Sequence, residues 1–234
     1  MKKFFDLKVV CCVIAMTMAP GPSGAFDTIA SDFAFSNLQR KLLDQRLEQA
    51  PARGPITSQT RAAVSFAFDP IRTEANLRMF LERTPDPQAK ADLQQLLQSQ
   101  PGIIGEIASA MRTRYGLDPN NFADVYAAWW ITAWNTAQNR AADPDVATVA
   151  AVRDQALFAL IDAPDFLSLN DAKRQEIAEA LLLQALLMSA AVEQAADDPG
   201  LLDEIAQAAA RMALQKNGID LAALQLTPRG FELR

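Results

Sequence analysis

The hydrophobic pattern of the chain is that of a helical protein, because apolar residues recur at spacings of three and four in one segment after another. Clusters of Pro, Gly, Asp and Asn separate these segments and supply the residues that cap and stop helices. The pattern predicts an all-α, single-domain bundle of roughly seven to nine helices. Two helices form its centre: an aromatic helix at about 121-139 and a long Leu/Ala helix at about 171-196.

The aromatic helix contains all three tryptophans of the chain. Steps of four residues place an aromatic row along one of its surfaces: Phe122, Tyr126, Trp130 and Trp134. An aromatic row at helical spacing favours packing between helices. The alternative is a platform for a small apolar, aromatic or sugar-like ligand, because indole and phenol groups combine a large apolar area with a hydrogen-bond donor.

Polar residues lie on the less apolar side of the same helix, namely Asn135, Gln138 and Asp124. They either line a polar pocket beside the indoles or form the solvated and capping side of the helix. Asp124 lies in the first turn, where the helix dipole favours a carboxylate. We therefore interpret Asp124 as a helix-stabilising residue rather than as an acid catalyst.

Gln184 is the one polar residue in the apolar middle of the Leu/Ala helix, ALLLQALLM. A buried primary amide needs hydrogen-bond partners, since leaving it unsatisfied costs about 1–3 kcal/mol. The simpler interpretation is a bond between helices that fixes their register, and the alternative is a ligand contact. The candidate ligand-binding residues are therefore Tyr126, Trp130, Trp134, Asn135 and Gln184.

The N-terminal residues 1–25 have the layout of a secretory signal peptide. Three lysines in MKKFFDLK precede a short apolar run, and small residues end the segment at Ala25. The sequence predicts cleavage after Ala25 and export, with no transmembrane segment left after cleavage. Residues 26–60 are predicted to form an amphipathic helix, capped by Ser36, and a linker; residues 61–234 form the helical domain.

Other element boundaries follow from caps and spacing. Val64, Phe66 and Phe68 alternate with small residues, which predicts an extended arm whose phenylalanines insert into the helical body. Predicted helix starts lie at Thr73, Asp86, Asn120 or Asn121, Asp143 and Asn170, with stops at Gly116 and Gly218. A last turn capped by Asp220 precedes the tail LTPRGFELR, to which the helical pattern assigns no element.

The composition excludes several kinds of chemistry. The chain has no histidine, and both of its cysteines lie in the predicted signal peptide. The mature protein therefore lacks Ser-His and Cys-His catalytic pairs, the usual zinc ligands and disulfides. A net charge of −6 without a basic block argues against nucleic acid as a partner. The turns DPNN, DPD and DDPG do not match a calcium loop, and we predict no cofactor or metal.

An enzymatic alternative is based on carboxylates of the Leu/Ala helix: Glu176, Glu179 and Glu193. Hydrolysis of a glycoside requires two carboxyl groups across a cleft, about 5 to 9 Å apart. Spacing along one helix does not establish such a pair. Glu179 and Glu193 lie on one side of the helical wheel, which favours a solvated edge.

Three segments resemble an uncharacterised family of secreted bacterial helical proteins, a domain of unknown function. They are YGLDPNNFADVYAAWWITAW, RQEIAEALLLQALLMSAAVEQA and DLAALQLTPRGF, and the resemblance covers about Ile71 to Phe231. It implies an exported all-helical protein and no particular activity. We therefore predict a periplasmic or extracellular, non-catalytic binding or structural module whose partner is a protein or a small apolar or aromatic ligand. The alternative is a carboxylate-dependent hydrolase acting on cell-envelope glycans.

Overall fold

A computed structural model describes residues 55–140 and 144–234, and the predicted signal peptide and N-terminal amphipathic helix lie outside these residues. The described residues form nine α-helices, one 3-10 turn and two short strands. The helices are α1 (Ser58–Ala62), α2 (Pro70–Arg83), α3 (Pro87–Ser99), α4 (Ile103–Tyr115), α5 (Phe122–Ala137), α6 (Val146–Ile161), α7 (Pro164–Leu167), α8 (Asp171–Gln194) and α9 (Pro199–Asn217). The 3-10 turn (Leu221–Ala223) leads into β1 (Leu224–Thr227) and β2 (Gly230–Leu233).

Most of the predicted helix boundaries are confirmed by cap geometry. Asp86, Asn121 and Asn170 each accept a hydrogen bond from a first-turn backbone N–H of the helix that follows. Gly116 and Gly218 end their helices with φ angles of 64° and 69°, in the left-handed region that glycine adopts without a steric penalty.

Two predicted helix starts are wrong. Helix α2 begins at Pro70 rather than at Thr73, because the Asp69 carboxylate accepts the Ile71 N–H and proline suits the first helical position. Helix α6 begins at Val146, with Asp145 rather than Asp143 as the N-cap. In both places a second Asp-Pro or Asp-Val signal lay within a few residues of the predicted start.

The aromatic helix α5 is the centre of the fold, as predicted. It packs against α6, α8 and α9, and nearly all of its side chains are buried. The Leu/Ala helix α8 is its main neighbour. Helix α8 is also long and apolar enough to cross a membrane by length and composition, but 83% of its most apolar window is buried inside the protein. We therefore describe α8 as the second core helix of the bundle.

The extended arm before α2 is confirmed in part. Val64 and Phe66 are buried, but Phe68 is 50% exposed and inserts only partly into the body. The arm pairs with the loop before α5, since the Phe122 N–H donates to the Val64 carbonyl and the Phe66 N–H donates to the Asn120 carbonyl. This single bridge explains the strand-like alternation without a second strand.

The C-terminal tail forms an antiparallel hairpin that the helical pattern did not predict. Strands β1 and β2 pair Leu224 with Leu233 and Leu226 with Phe231. The Gln155 side chain of α6 holds β2, because its amide donates to the Phe231 carbonyl at 2.8 Å and its oxygen accepts the Phe231 N–H at 2.8 Å. The hairpin therefore closes one side of the helical core.

Candidate functional site

A groove with a volume of about 160 Å³ lies where the arm, α4, the loop before α5 and α8 meet. Its walls are mainly apolar and include Phe66, Phe68, Ile104 and Leu182. The polar side chains in its lining are Arg112, Asn120 and Glu179. An apolar concavity with a few polar groups is the usual form of a small-molecule site, and we treat this groove as the candidate site.

In the described part of the chain, Glu179 is the only carboxylate that lines the groove, and it is only 3% exposed. Its Oε1 accepts hydrogen bonds from the Thr73 hydroxyl at 2.6 Å and from Gln175 Nε2 at 2.9 Å. Its Oε2 accepts from Asn76 Nδ2 at 2.7 Å. The prediction of a solvated edge for Glu179 is therefore wrong. Helix α2 covers this face of α8 and brings neutral donors to the carboxylate.

Gln175 connects this cluster to the start of α2. It is fully buried, its Nε2 donates to the Asp69 carbonyl at 2.8 Å, and its Oε1 accepts the Asp69 N–H at 3.0 Å. The same Nε2 lies 3.1 Å from the Thr73 hydroxyl. Because Glu179 accepts three of these hydrogen bonds and Gln175 also bonds to Asp69 and Thr73, the network fixes the Glu179 carboxylate in the groove wall before any ligand is present.

Helix α4 contributes Gly105 and Arg112 to the lining of the groove. A side chain added at Gly105 would meet no atom within 4 Å, so the groove is open at this point. Arg112 is exposed and lines the same space. Within the described residues no carboxylate lies within 4.0 Å of its guanidinium.

The loop before α5 forms the rim, and Asp124 holds it. The Asp124 Oδ2 accepts the Asp118 N–H at 2.7 Å, and the adjacent Asn120 lines the groove. The other oxygen, Oδ1, is buried and has no hydrogen-bond partner in the described part of the chain; Arg153 Nε lies 3.9 Å away. Asp124 therefore lies in the first turn of α5, as predicted, and holds the preceding loop, but it does not line the groove.

Burial raises the pKa of Asp124 from 3.8 to about 6, although the Asp118 N–H, Arg153 and Arg61 lower it. A raised pKa means that the folded state binds this proton more readily than the unfolded state. The charged Asp124 carboxylate therefore lowers the free energy of unfolding above pH 6. This loss disappears as the pH falls towards 4 and the carboxylate is protonated.

We expect protonation of Asp124 to raise the free energy of unfolding by at most about 3 kcal/mol as the pH falls from 7 to 4. Urea unfolding of the wild type and of Asp124→Asn measures this contribution. The asparagine keeps an acceptor for the Asp118 N–H but does not titrate. The difference between the two proteins should move in favour of the wild type as the pH falls. A difference that stays constant, or moves the other way, contradicts this assignment.

The residues predicted to bind a ligand lie in the core rather than in this groove. Three members of the aromatic row are at most 4% exposed: Tyr126, Trp130 and Trp134. The Phe231 ring stacks on Trp130 with centroids 4.5 Å apart, and Trp134 Nε1 donates to the Leu224 carbonyl at 3.2 Å.

The remaining two predicted residues have different surroundings. Gln184 accepts a hydrogen bond from Trp129 Nε1 at 3.0 Å, which is the predicted bond between the two central helices. Asn135 is half-buried near the end of α5. A ligand-binding role for the predicted set, Tyr126, Trp130, Trp134, Asn135 and Gln184, stays a prediction. None of the five lines the groove.

The other carboxylates proposed for hydrolysis are not brought into the groove lining. Glu176 pairs with Lys173 at 2.7 Å and with Arg83 at 3.6 Å. Sequence reasoning named Glu179 only as one of these carboxylates and missed Phe66, Arg112 and the network around Gln175 as site residues. A usable signal was present, since Glu179 stands directly between Ala178 and Ala180 in an apolar run.

The fold and the groove together define a class: a single-domain α-helical protein with one buried carboxylate in a small, mostly apolar surface groove. The chain belongs to DUF6683, a family of unknown function, whose sequence model matches residues 26–234. The match confirms the predicted relationship to an uncharacterised family and covers more of the chain than the predicted 71–231. Comparison with curated proteins and with solved structures finds no match.

Proposed function

We propose that this protein is an exported, non-catalytic binding module whose groove at Glu179 holds a small ligand. The observation that carries the proposal is the pairing of a fixed, buried carboxylate with apolar walls in one open groove. Apolar surface supplies affinity in such a site, and a few fixed polar groups orient the ligand. Because the Gln175 network holds the carboxylate in place, little ordering free energy is lost on binding.

Export is part of the proposal and is supported by the N-terminal sequence. The basic start, short apolar run and small residues before Ala25 are the features of a cleaved signal peptide. The family match begins at residue 26, directly after the predicted cleavage site. We therefore propose that the mature protein acts in the periplasm or outside the cell.

The geometry favours binding over the alternative of a glycan hydrolase. Hydrolysis requires two carboxyl groups facing each other across the substrate, and among the described residues the groove lining contributes only Glu179. Three neutral donors already occupy most of the acceptor positions of that carboxylate. A group held in this way is suited to bind a donor rather than to exchange protons with a substrate.

The substitution Gly105→Leu tests the site because Gly105 lines the groove and a Cβ added there meets no atom within 4 Å, so the leucine side chain adds volume to the groove. Replacing a glycine inside a helix also favours the helix by about 0.5–1 kcal/mol, so loss of binding will not reflect unfolding. The measurement is the melting temperature in the presence of small aliphatic and aromatic amines, acids and amino acids. We expect that compounds which raise the melting temperature of the wild type do not raise that of Gly105→Leu.

The matched control is Thr113→Leu, which adds apolar volume at an exposed position of the same helix outside the groove. It should keep every compound that binds the wild type. If the compounds bind Gly105→Leu as well as the wild type, or if none binds the wild type, the proposed site is wrong.

A further inference from the structure

We infer that the ligand is a compact zwitterion with an apolar body, whose ammonium group binds Glu179 and whose carboxylate binds Arg112. This inference rests on the proposed function of the groove and names the chemistry of its ligand. It follows from three features of the lining: one buried anion, one exposed cation without an acidic partner, and apolar side chains in the same cavity.

The first step concerns the charge of Glu179. Its three observed hydrogen bonds come from a hydroxyl and two amides, which are neutral donors. No basic side chain of the described residues lies within 4.0 Å of it. A carboxylate offers about four acceptor positions, so one position remains for a ligand. An ammonium group fits it best, because it adds the opposite charge as well as a donor.

The second step concerns Arg112. Arg112 lines the same groove as Glu179, and its positive charge would repel a cationic ligand that has no acid group. A planar guanidinium matches a carboxylate through two parallel hydrogen bonds. The lining therefore presents one partner for each end of a zwitterion and disfavours a simple amine.

The third step concerns the body of the ligand. The rest of the lining is mainly apolar and includes Phe66, Ile104, Ala108 and Leu182. A volume of about 160 Å³ admits a few carbon atoms beyond the charged groups, and a branched aliphatic or single aromatic group suits these walls. Together these features describe the chemistry of an apolar amino acid.

The test compares ligands that carry one or both charges, using calorimetry on the mature chain. L-Leucine and 6-aminohexanoate carry both charges at short and long separation; 3-methylbutylamine and 4-methylpentanoate carry one each. At least one zwitterion should bind the wild type about 10- to 100-fold more tightly than either single-charge compound, the size expected for a charge-assisted bond.

Two substitutions assign the ends of the ligand. Arg112→Gln, at an exposed position, should weaken zwitterion binding by about 10-fold or more and leave amine binding no weaker. Glu179→Gln should reduce the zwitterion to the affinity of the acid, with circular dichroism showing that the variant remains folded. If Glu179→Gln unfolds, Arg112→Gln alone decides the outcome.

The inference is overturned if the amine or the acid binds the wild type as tightly as both zwitterions, or if Arg112→Gln leaves zwitterion binding unchanged. In that case binding that is lost in Gly105→Leu would still support the proposed function. If none of the four compounds binds, the inference is overturned, whereas the proposed function is decided by the wider panel tested against Gly105→Leu.

Discussion

Phe231→Ala should lower the free energy of unfolding by about 3–5 kcal/mol, although only three residues follow Phe231 in the sequence. Its ring is 2% exposed and lies between two indoles, stacked 4.5 Å from Trp130 and edge-on at 5.9 Å to Trp134. Truncation would leave a cavity against the aromatic row. Because Gln155 bonds both the N–H and the carbonyl of Phe231, the hairpin is not free to collapse into that cavity.

Denaturant unfolding followed by circular dichroism measures this loss. The control is Leu233→Ala in the same strand, which is 52% exposed and should change the free energy by no more than about 0.5 kcal/mol. A loss below about 1 kcal/mol for Phe231→Ala would contradict the interpretation of the hairpin as part of the core.

Arg174→Ala is the second large effect, and we expect a loss of about 3 kcal/mol or more. The Arg174 guanidinium is largely buried and donates to the carbonyls of Ala63, Ser65 and Leu167 at 2.9–3.1 Å. It also lies 5.0 Å from the centre of the Phe166 ring. Removing the side chain leaves three carbonyl groups without their donor and opens a cavity at a buried position.

This substitution should also weaken ligand binding, because Ala63 and Ser65 belong to the arm that places Phe66 and Phe68 in the groove. Unfolding in urea and calorimetry with L-leucine measure the two effects. Lys173→Ala is the control, since Lys173 forms a partly exposed pair with Glu176 that contributes about 0–1 kcal/mol. Equal, small losses for both variants would show that Arg174 does not hold the arm.

The helical fold was predictable because its signals are local. Apolar spacing, Asp-Pro and Asn caps, and glycine stops identify helices from a few neighbouring residues. The central position of the aromatic helix followed from its apolar character on every side, and Gln184 pointed to the bond between the two core helices that Trp129 completes. The shifted starts at Pro70 and Val146 reflect competing caps within a few residues.

The hairpin and the groove were not predictable in the same way, because both depend on contacts between distant residues. The strand that contains Phe231 is held against the helical core because Gln155, on α6, supplies backbone-like hydrogen bonds. Glu179 is buried only because Thr73 and Asn76, on α2, bring donors to it. A helical wheel describes α8 alone and does not show that α2 packs on it. The wheel therefore placed Glu179 at a solvated edge.

The central claim is that this protein binds a small ligand in the groove at Glu179 and not on the aromatic row. The most direct test is a chemical-shift map of ¹⁵N-labelled mature protein titrated with the tightest-binding compound. We predict that the backbone N–H signals of Gly105 and Asn120 and the Arg112 side chain shift, while the indole N–H signals of Trp130 and Trp134 stay in place. Shifts of those indole signals, with Gly105 unchanged, would place the ligand on the aromatic row and contradict this account.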